Sequence, residues 1–119
     1  MILKRMFAAA LGASVLAGAA APALAQDAEE AVIVQKIRAM AVGVGNAYAC
    51  TSEESRDLFR EESHHLFDLI VQDAGSDVAF IYAVGLGYGA AAPADVIDCE
   101  RMLGHWETIR TDYDLKADE

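Results

Sequence analysis

The longest run without charge downstream of residue 25 lies between Asp77 and Asp95 and holds the segment VAFIYAVGLGYGAAA (78–92). This run falls short of the roughly 20 apolar residues that a membrane-spanning helix needs. Gly85, Gly87 and Gly89 interrupt it, and no Lys or Arg flanks it to set an orientation. It reads as the buried central helix of a small bundle, with the more polar segments wrapped around it.

Those segments carry helical periodicity. Val34, Ile37, Ala41, Val44 and Tyr48 recur at spacings of three and four, which predicts a first helix over Asp27–Cys50 with Asp27, Glu29 and Glu30 in its opening turn. Thr51-Ser52-Glu53-Glu54 has the form of a capping box and predicts a second helix from Thr51 to about Asp73. Its apolar face is Leu58, Phe59, Leu66, Phe67, Leu69 and Ile70, with Arg56, Arg60, Glu61 and Glu62 on the solvated side. Gly75 is placed to stop it and Ser76 to cap the third helix. Pro93 suits the first turn of a fourth, whose stripe is Val96, Cys99, Leu103, Trp106, Arg110 and Tyr113. Residues 114–119 are polar and are expected to fray. No segment alternates as a strand does. The expectation is all-α: one small up-down four-helix bundle over residues 26–119, around a glycine-rich central helix.

The first 25 residues have a different grammar. Lys4 and Arg5 precede an apolar stretch, Met6–Ala21, and Ala23-Leu24-Ala25 is a small-residue cleavage site. This is the pattern of a secretory signal peptide cleaved after Ala25, leaving Gln26 as the mature N-terminus, and it implies export to a bacterial periplasm. No cysteine follows the site to accept a lipid, and no membrane span is expected in the mature chain.

In an oxidising compartment two cysteines in a small domain read as a disulfide, Cys50–Cys99. The bundle places the end of the first helix and the start of the fourth at the same pole. Nine Lys and Arg stand against 19 Asp and Glu, a net charge of −10, and Lys4 and Arg5 leave with the signal. Such a chain repels nucleic acid and anionic membrane surfaces. The acidity serves solubility, or a basic protein partner.

Candidate chemistry is sparse. Glu61, His64 and His65 lie together on the second helix in Glu-x-x-His spacing, which holds metal in some bundles, but no second such motif completes a site. Surface pairing of these side chains is the plainer reading. There is no G-x-S-x-G, AVGLGYG lacks the strand and Lys-Ser/Thr of a phosphate loop, and the disulfide leaves no thiol free. A non-enzyme without a cofactor is expected.

The glycines are the unusual feature. Gly43 and Gly45 in the first helix and Gly85 and Gly89 in the third each cost about 1 kcal/mol of helix propensity against Ala, so something must compensate. Three arrangements would do so: close packing of the two helices within the monomer, a shallow groove for a partner helix or a second copy of the chain, or a small-molecule pocket beside Tyr82, Tyr88 and Trp106.

In outline the chain resembles periplasmic acid-stress chaperones of the HdeA/HdeB type. It shares with them small size, export, helices, a similar separation between Cys50 and Cys99, and a tryptophan, Trp106, after the second cysteine. The resemblance implies a buried apolar helix held by one disulfide, and apolar surface exposed by acid. The residues themselves point first to a non-catalytic periplasmic binding protein, an inhibitor or an accessory subunit of an envelope complex. An acid-activated chaperone is the second reading and a metal or haem carrier the third.

Overall fold

The computed structural model describes residues 22–116, with side chains from residue 28 onward. The basic and apolar parts of the expected signal peptide and the last three residues of the tail lie outside them. Four α-helices make up the described chain: α1 (Pro22–Ala49), α2 (Arg56–Ala74), α3 (Ser76–Ala90) and α4 (Cys99–Asp112). The chain is a helical bundle, as its periodicity predicts. No helix among the described residues is long and apolar enough to cross a membrane. Since α1 begins at Pro22, the expected cleavage site lies in its first turn, and the three acids stand beyond that turn.

The core follows the sequence stripes. Ile37, Ala41, Val44 and Ala47 of α1, Phe59, Leu66 and Ile70 of α2, Ala79 and Tyr82 of α3, and Trp106 and Ile109 of α4 are buried together. α1 packs most extensively against α3 rather than its sequence neighbour α2, while α2 lies on α3 and α4 on α1. The physical reason is the glycine seam described below.

Several boundaries differ from expectation. Thr51 does not cap α2: its hydroxyl donates back to the Ala47 carbonyl of α1 at 2.7 Å. The chain instead makes a 3₁₀ turn, Glu53–Ser55, with no side-chain cap, and α2 starts at Arg56. Gly75 ends α2 as expected, with φ 94° and its N–H on the Val71 carbonyl. It also opens α3, so Ser76 is the first helical residue rather than the cap. A left-handed φ turns the chain at a single residue, which only glycine adopts cheaply. Pro93 precedes a 3₁₀ turn, Ala94–Val96, and α4 begins later, at Cys99, where the Asp98 side chain accepts from the Arg101 N–H at 3.2 Å. Val96 is therefore off the helix and exposed, and the inward face of α4 becomes Met102, Trp106, Ile109 and Tyr113.

The tail does not fray at once. Asp114 takes φ 56° and the Leu115 N–H returns to the Arg110 carbonyl at 2.9 Å, a Schellman closure of α4. Leu115 is 2% exposed in the core. An apolar residue just past the helix end is the signal for this in a segment that otherwise reads as polar.

Cys50 and Cys99 are bonded, with Cα atoms 5.5 Å apart. The bond joins the end of α1 to the first residue of α4, and the cysteines are 49 positions apart in sequence. Closing a loop of that length removes entropy from the unfolded chain. The Cys50→Ser/Cys99→Ser double variant is expected to lose about 2–4 kcal/mol in equilibrium urea unfolding. A loss under 1 kcal/mol would show that the bond constrains the unfolded state little.

Candidate functional site

Three of the four glycines meet in the seam between α1 and α3, which run parallel. A Cβ on Gly45 would overlap the Leu86 carbonyl oxygen and stand 2.6 Å from the Ala90 nitrogen. One on Gly89 would overlap the Val42 carbonyl oxygen, and one on Gly85 would stand 2.9 Å from the Ala41 Cβ. The helices touch backbone to backbone, so these glycines are spent on internal packing. Gly43 is not in the seam. It faces α4, where a Cβ would make ordinary contact with the His105 ring at 3.6 Å.

Burial of α3 is consequently one-sided, and this corrects the expectation of a wholly buried central helix. Ala79, Tyr82, Gly85 and Gly89 face inward. Phe80, Val84 and Tyr88, one turn apart on the opposite face, are 68%, 57% and 77% exposed. Gly87 lies on the open side too, where a Cβ would meet nothing within 4 Å. Uniform lack of charge cannot reveal such a division, because both faces of the segment read as apolar.

Tyr88 and Trp106 thus part company. Trp106 is buried and stacks on Phe59 with ring centroids 4.4 Å apart. On the other side of Phe59, between the end of α1, α2 and α3, is a pocket of about 560 Å³ walled by Tyr48, Phe59, Phe67, Tyr82, Leu86 and Ala90. A pocket is present where Tyr82 predicts one, but neither Tyr88 nor Trp106 lines it.

Glu61, His64 and His65 are exposed on α2, and no group of three or more His, Cys, Asp or Glu among the described residues is arranged to hold a metal ion. His64 turns toward the pocket mouth instead.

Two buried polar pairs escape a reading by pattern. Glu62, expected on the solvated side, is 2% exposed and accepts two bonds from Arg110, Nε to Oε1 at 2.6 Å and Nη2 to Oε2 at 2.8 Å. The pair joins α2 to α4 and explains why an arginine interrupts the α4 stripe. Arg110 also reaches Glu107, which Lys116 contacts at 2.9 Å. Hydrogen bonds from Lys116 and then Arg110 hold the Glu107 carboxyl below its ordinary range. Its stabilising contribution is present above that range and fades as acid protonates it, and is small because the group is exposed.

The second pair is Ser63 and Tyr82, whose hydroxyls are 2.8 Å apart. Burial pushes the Tyr82 phenol up to about 12, against a smaller opposing effect of the Ser63 hydrogen bond. A raised folded pKa means stability that is complete below the unfolded value of about 10 and lost as pH climbs toward 12. Urea unfolding at pH 9 and pH 12 is expected to differ by on the order of 2 kcal/mol more for the native chain than for Tyr82→Phe. Equal differences would place the alkaline sensitivity elsewhere.

No protein family, curated protein or solved structure matches this chain.

Proposed function

We propose that this chain is a non-catalytic binding protein of the bacterial periplasm that takes a protein partner on the outer face of α3. The observation that carries the reading is the row Phe80, Val84 and Tyr88, exposed on the uncharged segment of α3 in a chain with net charge −10. Exposed aromatic clusters of this kind are costly to leave in water and typify binding surfaces. Asp77 and Asp95 stand exposed at the ends of the uncharged segment. The fitting partner is an apolar patch with a basic rim, docked where the acidic surface is interrupted. The row's exposure in the folded state favours constitutive binding over release by acid.

The test is quantitative capture from periplasmic extract by the native chain and by Phe80→Ser/Tyr88→Ser. Both side chains point to solvent, so the variant should keep its helical circular dichroism and Tm while losing the captured protein. Equal capture by both would remove α3 from the interface, and a partner that proves to be a second copy would turn the reading into self-association.

A further inference from the structure

The pocket between α1, α2 and α3 is separate from the exposed row, and its chemistry is specific. Its volume, about 560 Å³, is in the range of small-molecule sites, roughly 300–1,000 Å³. Aromatic and aliphatic side chains make its walls. The Ser63 and Tyr82 hydroxyls on the inner wall bond to each other, so the interior presents an apolar surface. Among the described residues no acidic one lines it, on a chain with 19 of them. The fixed charge on the lining is Arg60, an exposed side chain of α2 at the mouth, with His64 one turn further along.

Arg60 makes two side-chain contacts there. Its Nη1 donates to the Tyr48 hydroxyl at 3.2 Å and its Nη2 to Asp57 at 2.6 Å. A guanidinium has five N–H donors, so others remain to meet an anion. Its tie to Asp57 is an exposed ion pair, of the kind that contributes little and exchanges readily. Arg56 lies over the same Tyr48 ring at 5.3 Å and adds positive potential beside the mouth.

From this juxtaposition we infer that the pocket binds a single-headed amphiphile, a medium-chain monocarboxylate, with its apolar body against Phe67 and Leu86 and its carboxylate on Arg60. An uncharged ligand would leave the arginine unused, and a cationic one would meet repulsion from it. A carboxylate matches the planar donor geometry of the guanidinium. The inference stands independently of any protein partner on α3.

Trp106, the single tryptophan of the chain, stacks on Phe59 of the pocket wall, so its fluorescence reports occupancy. The purified disulfide-bonded protein is titrated with dodecanoate below its micelle concentration, with dodecanol and dodecyltrimethylammonium alongside, and stoichiometry is checked by calorimetry. Saturable one-to-one binding of dodecanoate is expected, at least about ten-fold tighter than the cationic amphiphile. Arg60→Gln should weaken dodecanoate by about ten-fold or more and leave dodecanol unchanged, with Tm preserved. Ala83→Trp, which places a large side chain on the pocket wall at an exposed helix position, should abolish binding of both. Equal affinity for anionic and cationic amphiphiles, dodecanoate binding unaffected by Ala83→Trp, or no saturable binding of dodecanoate would each overturn the inference.

Discussion

Alanine in place of Gly45 or Gly89 is expected to unfold this protein or to leave it barely folded, although alanine is the better helix former at both positions. The cause is what the added methyl would meet. At Gly45 it would meet the Leu86 oxygen, the Ala90 nitrogen at 2.6 Å and the Gly89 carbonyl carbon at 2.9 Å. At Gly89 it would meet the Val42 oxygen, with the Val42 carbonyl carbon at 2.9 Å and Cα at 3.0 Å. All of these are backbone atoms of a packed helix, and none can rotate aside as a side chain can. Relief requires α1 and α3 to separate, which opens the largest helix contact of the fold. Overpacking typically costs about 1–3 kcal/mol; the rigid obstacle puts these two at or above the upper figure, a large share of the 5–15 kcal/mol of a typical domain.

The same geometry grades the other glycines. Gly85→Ala meets a side-chain methyl, Ala41 Cβ, at 2.9 Å and should cost less, while Gly85→Leu should unfold the chain. Gly43→Ala and Gly87→Ala meet ordinary contact and open space and should be neutral, or more stable by up to about 1 kcal/mol. Thermal melts followed by far-ultraviolet circular dichroism order the series. A Gly45→Ala protein as stable as Gly43→Ala would mean that the helices do not approach as described.

Removing Arg110 should cost about 3–5 kcal/mol, because Arg110→Met leaves the Glu62 carboxylate buried without its bidentate partner. Much of that loss should return in Glu62→Leu/Arg110→Met, where both charges are gone and apolar volume replaces them. Arg110→Lys should behave as a substantial loss, since a single ammonium cannot supply two parallel N–H donors. The double-mutant cycle in urea separates the energy of the pair from the cost of removing one partner alone. If Arg110→Met stays within 1 kcal/mol of the native chain, the carboxylate has found water or another donor, and the pair does not hold α2 to α4.

Helix number, all-α class and the disulfide were legible in the sequence because each rests on a local or short-range signal. Val34 to Tyr48 shows its period directly, Gly75 marks a break, and with two cysteines the only intrachain disulfide is Cys50–Cys99. Caps were less legible: Thr51 and Glu54 have the residue types of a capping box, but the Thr51 hydroxyl had a nearer acceptor in the last turn of α1. What only the tertiary structure decided is where each helix turns its faces. Segment 78–92 is apolar all round, so its own composition cannot say that Gly85 and Gly89 go inward and Phe80, Val84 and Tyr88 outward; the backbone of α1 chooses, by fitting only where there is no Cβ. Likewise Glu62 and Arg110 are 48 positions apart; Glu62 reads as surface and Arg110 as a break in an apolar stripe. Their burial exists only once α2 and α4 are adjacent, because a charge enters a core only with its counter-charge already there.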